Sequence, residues 1–318
     1  MAVETGTATN FGDLYNKLIT FLTTNVGVGM NWTMVHGYEQ GDDVTITGST
    51  QFTTEDDKAN KCILEGVGTG VGGEVYVGLY TTRNVFDEAY TISLVPMAGY
   101  DSNFNVLSQP TVGLASNPKI LCWDAAMPYW FVASDRRFMA VVKVNTTYQF
   151  LYAGFFLPYS LPDEYPYPYL VGAMSDDNVA ASKSDSYNDC FLQSARREHG
   201  QICFPDGNWR YVSGGLHNDV SATLAPFNVA GYGDSADDNY WHYYRPDKGG
   251  VYHLIKLEPC CGNPATGLGV FGCLDGVHFV SGFENSPENT VDIDGISHFV
   301  FTNSFRVANN NYFTMRLL

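Results

Sequence analysis

Basic residues, charged residues of any kind and long apolar runs are all scarce in this 318-residue chain. Lys and Arg together number 17 against 34 Asp and Glu, which makes the net charge −17. A nucleic-acid binder needs a basic face that displaces counterions from the phosphates. The densest basic groups in this sequence are only Arg136-Arg137 and Arg196-Arg197. The composition therefore argues against DNA or RNA as a partner.

Membrane and export signals are lacking in the sequence as given. No stretch approaches the roughly 18 uninterrupted apolar residues of a membrane-spanning helix, so we expect no membrane insertion. Residues 1–10 are small and polar, without a basic segment followed by an apolar one, so we predict no secretory signal. We expect the chain to be made and kept in a cytoplasm until release.

Catalytic motifs are lacking as well. The His residues form no H-E-x-x-H motif, and neither G-x-S-x-G nor the phosphate-binding-loop pattern occurs. The Gly-rich run at 66–73 lacks the Gly-Lys-Ser/Thr ending of a phosphate cradle, and a predicted strand follows it. We interpret this run as a hairpin loop, and we predict that the chain is not an enzyme and binds no cofactor.

The cysteines and the acidic motifs do not form metal-site patterns. The seven Cys are an odd number and include no C-x2-C pair, which favours buried free thiols over zinc ligands or obligatory disulfides. A metal site at Cys260, Cys261 and Cys273, or a later disulfide between chains, is the less favoured alternative. The sequence Asp292-Ile293-Asp294-Gly295 begins like a calcium loop, but the closing Glu is replaced by Asn303, so we predict a turn.

Apolar and aromatic residues are abundant in the chain, at 45% and 14% of all residues, against only 16% charged residues. This is enough material for a packed core. The surface must then be covered largely by Asn, Ser, Thr, Gly and Tyr. Such a surface suits packing against other protein.

The periodicity predicts a mainly β fold (α+β with one N-terminal helix), built from antiparallel, sandwich-like sheets with long loops. Apolar residues recur at helical spacing from Phe11 to Leu22, after a cap at Thr9 or Asn10, and Asn25 and Gly27 end the helix. Strands are predicted at 43–47, 74–80, 138–144, 147–156, 251–257, 268–271, 277–280 and 297–303. Turns are frequent, with 32 Gly and 14 Pro in the chain.

A Ser-, Asn-, Gly- and Pro-rich stretch at 99–118 suggests a domain boundary. We predict a helix-plus-β domain over 1–105 and a larger β domain over 106–318. A single domain is the alternative.

An aromatic and proline-rich segment follows the strand at 147–156. Four prolines at 158, 162, 166 and 168 end the strand and favour an extended path. Tyrosines between them supply rings that bury area at low entropy cost, which is typical of protein interfaces. We weigh a docking ribbon for a neighbouring subunit against a loop that covers the chain's own sheet. The interface candidates are Tyr159, Tyr165, Tyr167, Tyr169, Trp130, Trp241, Tyr243 and Tyr244.

The block from Met127 to Pro168 carries a family resemblance. It reads MPYWFVA, then DRRF, then YAGFFLPY and finally EYPYP. The block resembles virion structural proteins encoded by tailed phages and prophages of Gram-negative bacteria. The helix at 13–18, Trp32 and the turn at 206–210 are similar to that family too, so the resemblance covers about two thirds of the chain, with gaps.

The resemblance implies a virion component, most plausibly a tail or baseplate subunit. Its partners would be other virion proteins and copies of itself, and no catalytic residue carries over. Two other functions stay open. A receptor- or glycan-binding tail-tip protein is suggested by Trp241-His242-Tyr243-Tyr244 beside Asp237 and Asp238, although these rings equally suit a core or subunit interface. A particle-borne glycan-degrading enzyme is allowed only by the many acids.

Overall fold

The computed structural model describes residues 1–37, 59–68, 73–84, 89–161, 163–176, 190–192, 199–212, 224–225, 252–263, 267–302 and 312–317. Within these ranges the chain is mainly β, with one N-terminal helical segment and several sheets in which every described strand pair is antiparallel, as predicted. The strand predicted at 43–47 lies outside the described residues.

The N-terminal helix α1 spans Phe11–Thr20 and continues as a π-helical turn, Phe21–Asn25. Asn10 caps it, since its side-chain oxygen accepts a hydrogen bond from the backbone N–H of Asp13 at 2.9 Å. Gly27 adopts a positive φ of +133° just past the end. The cap and the end predicted for the helix are both confirmed.

The first sheet contains the most deeply buried strands. Its seven strands are, in spatial order, β1 (Ala2–Ala8), β7 (Met127–Ala133), β8 (Arg137–Val144), β9 (Thr147–Phe155), β11 (Tyr169–Gly172), β13 (Gly200–Cys203) and β14 (Trp209–Tyr211). In β7, β8 and β9 nearly every residue is buried, without the alternation of a half-exposed strand. This pattern indicates a sheet that is covered on both faces.

A second sheet and helix α1 cover one face of the first sheet. The six strands of the second sheet are β12 (Ser175–Asp176), β6 (Pro118–Cys122), β5 (Ala89–Met97), β4 (Val75–Asn84), β3 (Ala59–Gly66) and β2 (Thr33–His36). The backbone N–H of Leu121 in β6 donates to the side-chain oxygen of Gln149 in β9 at 3.0 Å. The ring of Phe21, just after α1, lies 5.8 Å from that of Phe131 in β7. Strands β3 and β4 pair as a hairpin with Gly66 opposite Val75, as predicted, and residues 69–72 of the Gly-rich run between them lie outside the described residues.

A third sheet covers the opposite face. Its five strands are β16 (Ile255–Lys256), β20 (Val277–Phe279), β23 (Tyr312–Arg316), β22 (Ile296–Thr302) and β21 (Thr290–Ile293). Trp130 of β7 packs on Phe301 with ring centroids 5.2 Å apart, and Phe150 of β9 packs on Phe313 at 4.9 Å. The first sheet is therefore the middle layer of three.

Two tight turns connect strands in these sheets, and the turn predicted at Asp294-Gly295 is one of them. Asp294 and Gly295, with φ of +53° and +76°, join β21 to β22, so the supposed calcium loop is a two-residue hairpin turn. Asn145, with φ of +55°, begins the turn between β8 and β9. The remaining described strands form two small sheets: β10 (Leu157–Pro158) with β19 (Gly272–Cys273), and β15 (Leu224–Ala225) with β17 (Glu258–Asn263) and β18 (Gly267–Val270).

Strand pairing links the two predicted domains. Strand β1, from the range 1–105, pairs with β7, from the range 106–318, along its whole length. One core cluster contains residues from both ranges, for example Leu14, Leu79, Phe150 and Phe313. The division at residue 105 stays a prediction.

Five of the seven cysteines have described side chains, and all five are free and buried: Cys62, Cys122, Cys190, Cys203 and Cys273. Burial raises the pKa of the Cys62 thiol to about 12, so this thiol is neutral and unreactive at physiological pH. The expectation of buried free thiols is confirmed for these five.

A buried ion pair connects the first sheet to the third. Arg137, at the start of β8, is almost completely buried, and its Nε donates to the carboxylate of Asp275 at 2.7 Å. Asp275 lies in the turn that leads into β20 and is partly exposed. Because a guanidinium in a core needs a charged partner, this pair fixes the turn against the sheet.

We expect Asp275→Ala to destabilise the chain by about 3 kcal/mol, because it leaves the Arg137 charge buried without its partner. The matched control is Asp135→Ala, which removes a carboxylate that is as exposed as Asp275 but lies 3.8 Å from the exposed Arg136, so it should cost below about 1 kcal/mol. Urea unfolding of both variants measures the difference. Equal losses for the two variants would show that the Arg137–Asp275 pair contributes nothing special.

Candidate docking surface

The proline-rich segment lies on the surface, and we call its described residues, 157–161 and 163–169, the ribbon. The extended path predicted from the prolines is interrupted by a turn, in which the N–H groups of Glu164 and Tyr165 both donate to the carbonyl of Leu161. The ribbon starts as β10, which pairs with β19 through Leu157 and Cys273. The backbone N–H of Tyr159 then donates to the carbonyl of Phe271 at 2.9 Å. At its far end the ribbon enters the first sheet as β11. Both ends are therefore held by main-chain hydrogen bonds.

Two of the four ribbon tyrosines point inward. The Tyr165 ring is buried, packs edge-on against Phe156 at 5.6 Å and donates its hydroxyl hydrogen to the carbonyl of Cys203. The Tyr169 ring is buried against Trp209 at 5.4 Å, and its hydroxyl donates to the carbonyl of Tyr76 at 2.6 Å. These rings attach the ribbon to the sheets below it, which is the covering role weighed from the sequence.

Trp130 also lies inside the molecule. Its ring is buried between the first and third sheets, where it contacts Phe299 and Phe301. The interface role proposed for Trp130, Tyr165 and Tyr169 is therefore corrected to a role in the chain's own core. The physical reason is that both faces of the first sheet are covered, so large rings on its strands and at its edge are enclosed.

The outward side of the ribbon exposes large apolar side chains. The exposed fractions are 45% for Leu157, 55% for Tyr159, 68% for Leu161 and 37% for Tyr167. These four are half of the eight large apolar side chains that are exposed within the described ranges. Val270 is also exposed, and it directly precedes Phe271, whose carbonyl accepts a hydrogen bond from Tyr159. Because soluble proteins rarely group exposed apolar side chains, a segment that carries several of them is a candidate interaction site.

The two exposed tyrosines are held in place. The Tyr159 hydroxyl donates to the carboxylate of Glu258 in β17, and partial burial followed by this contact raises its pKa, so it stays protonated at neutral pH. The Tyr167 ring lies over Gly73, where a Cβ atom would come within 3.1 Å of it. Asp163 and Glu164 are exposed between the two tyrosines, so the apolar side chains have an acidic rim.

Sequence reasoning and structure therefore agree on Tyr159 and Tyr167 as surface residues of the ribbon. Trp241, Tyr243 and Tyr244 lie outside the described residues. Leu157 and Leu161 were missed as candidates. Apolar residues occupy the alternate positions 157, 159 and 161. This spacing could have indicated both leucines, because alternate residues of an extended chain share a side.

Two other kinds of feature are absent from the described residues. These residues contain no group of three or more His, Cys, Asp or Glu side chains that could hold a metal ion. In the same part of the chain, no helix has the length and apolar character needed to cross a bilayer. No protein-family model matches the chain, and a search of curated proteins finds no similar sequence. The resemblance to phage virion proteins stays a prediction.

We expect Tyr165→Ala to lower the free energy of unfolding by about 4 kcal/mol, because it opens a cavity and leaves the Cys203 carbonyl without its donor. Tyr167→Ala, on the same ribbon, should change stability by less than about 1 kcal/mol. Chemical denaturation of the two single variants measures this. A large loss at Tyr167 would mean that the ribbon is only a cover for the core.

Proposed function

We propose that the chain is a non-enzymatic structural subunit of a tailed-phage particle, in the tail or baseplate, that docks through the outward side of the ribbon. The observation that carries the proposal is the concentration of exposed Leu157, Tyr159, Leu161 and Tyr167 side chains on this one segment. Its partners would be copies of itself or other virion proteins. The resemblance of the block at 127–168 supports the particle, and the exposed ribbon supports docking.

The ribbon suits an interface because little order has to be gained on binding. Its backbone is tied to β19 and β11, and Tyr165 and Tyr169 attach it from below. Exposed rings on a fixed backbone lose little conformational entropy when a partner covers them. Tyr and Leu together offer apolar area with hydroxyl groups at the rim, which is the composition of a protein interface.

Light scattering coupled to size-exclusion chromatography, with and without reductant, tests the docking. We expect a discrete oligomer of the purified chain whose mass does not depend on reductant, because the described thiols are free and buried. The triple variant Tyr159→Ser, Leu161→Ser and Tyr167→Ser should lower the mass towards that of the monomer. Its melting temperature should stay within a few degrees, because these side chains are exposed.

The matched control changes exposed apolar side chains elsewhere, through Val28→Ser together with Phe104→Ser. This variant should keep the oligomer. If both variants dissociate to the same degree, or neither does, the ribbon is not the interface between copies. A wild-type monomer at every concentration would exclude self-association and leave other virion proteins as the partners.

Peptide mapping of purified particles from a host that carries the gene tests the localisation. We expect peptides of this chain in the particle fraction after density-gradient purification. A particle preparation without them would overturn the virion assignment whatever the result on the ribbon. Binding of the purified chain to host surface polysaccharide would instead favour the receptor-binding alternative.

A further inference from the structure

The third sheet has one face in the main core and a second face with different chemistry. Val277, Phe279, Phe313 and Met315 belong to the main core cluster. Alternate residues of the same strands point the other way, where Val280, Val300 and Tyr312 form a small separate apolar cluster. Basic and polar residues continue this second face. We call this group the basic face: Lys256, His278, Thr314, His298 and Arg316.

The strand register brings these five residues together. Lys256 on β16 pairs with His278 on β20, and His278 in turn pairs with Thr314 on β23. Two residues after Thr314 on β23, and therefore on the same side of the sheet, Arg316 pairs with His298 on β22. Directly paired residues have Cβ atoms about 5 Å apart. The His278 and His298 rings stand nearly perpendicular with centroids 5.6 Å apart, although β23 separates their strands.

Two polar atoms of the basic face are buried without a hydrogen-bond partner. They are Nδ1 of His278 and Oγ1 of Thr314, and Thr314 is completely buried. Their residues are direct cross-strand neighbours. A polar atom that is both dehydrated and unpaired destabilises the fold, so two adjacent cases on one face indicate that a partner is to be supplied.

The charges around these atoms are predominantly positive. The pKa of His278 is lowered to about 4, first by burial and then by the positive charges of His298, Arg316 and Lys256, while Asp275 opposes them. Burial and the positive charge of Arg316 likewise lower the pKa of His298. The negative charge of Asp292 acts in the opposite direction.

Both opposing carboxylates already have partners. Asp275 accepts from Arg137, and Asp292 accepts from the Ser297 hydroxyl. In a chain of net charge −17, this face brings Lys256, Arg316 and two imidazoles together.

We propose that the basic face binds a tetrahedral oxyanion, a phosphate or sulfate group. Lys256 supplies charge, and His278 and Thr314 supply hydrogen-bond donors that now lack acceptors. Lys256 is exposed on the edge strand β16 and His278 is half-buried, so the face opens to solvent at that edge. Charge-assisted hydrogen bonds to such an anion are stronger than neutral ones. This site is separate from the ribbon and does not depend on the docking proposal.

Binding of an anion must be linked to protonation of His278. A bound dianion favours the imidazolium, so it raises the His278 pKa from its low value in the free protein. By linkage, the anion binds more tightly as the pH falls from 7.5 towards 5, where more of His278 becomes protonated. Sulfate is the sharper probe because it stays doubly charged across this range, so any pH dependence comes from the protein.

Calorimetric titration with sodium sulfate at pH 7.5 and 5.5, at an ionic strength held constant with sodium chloride, tests the proposal. We expect saturable sulfate binding that is tighter at pH 5.5 than at pH 7.5. The Lys256→Gln substitution should weaken this binding at least about fivefold. The matched control is Lys17→Gln, a lysine on α1 whose loss should leave sulfate binding unchanged. Lys256 is exposed, so its variant should fold normally, which its melting temperature checks.

Imidazole NMR signals give a second readout that needs no variant. Sulfate should shift the His278 and His298 ring resonances and raise the His278 pKa, and it should leave the exposed His253 unmoved. Equal binding by wild type, Lys256→Gln and Lys17→Gln would overturn the proposal. Unmoved His278 and His298 signals at saturating sulfate would overturn it as well. Sodium phosphate should reproduce the sulfate result, which would show that the site recognises the oxyanion shape.

Discussion

Burial of the first sheet on both faces is the constraint on which the rest of the structure depends. Strands β7, β8 and β9 are enclosed between the second sheet with helix α1 on one side and the third sheet on the other. A strand in such a position must be apolar at nearly every residue, since neither face meets water. This explains why aromatic residues are so dense here, and why the one charged residue buried deeply in this sheet, Arg137, is tied to Asp275.

The same layering determines what is left for the surface. Large rings on the middle sheet and at its edge are used for intramolecular packing, as Trp130 and Tyr169 are. A segment that leaves the sheet and runs over its edge can present apolar side chains outward. The ribbon is such a segment, and between β10 and β11 its described residues form no regular strand. Its inward rings provide the rigidity that makes its outward side suitable for docking.

The two faces of the third sheet differ in chemistry. One face completes the core, while the second carries a small apolar cluster and the basic face. Burial, followed by the positive charges around it, lowers the pKa of His278, and two neighbouring polar atoms of this face are buried without a hydrogen-bond partner. An arrangement that costs folding free energy in the empty state is commonly retained for what it binds.

Local features of the sequence were sufficient for the helix and for part of the strands. Asn10 caps the helix because its side chain reaches Asp13, and the turns at Asn145 and Asp294-Gly295 follow from residues that tolerate positive φ. The predicted strands at 138–144 and 147–156 are β8 and β9, but β1, β7 and β11 were not predicted. Only the tertiary structure decided that Tyr165 is buried and Tyr167 exposed, because the direction of a ring depends on what packs beside it. Likewise, His278 and His298 meet only because β23 lies between their strands, a pairing across the sheet that no local pattern in the sequence encodes.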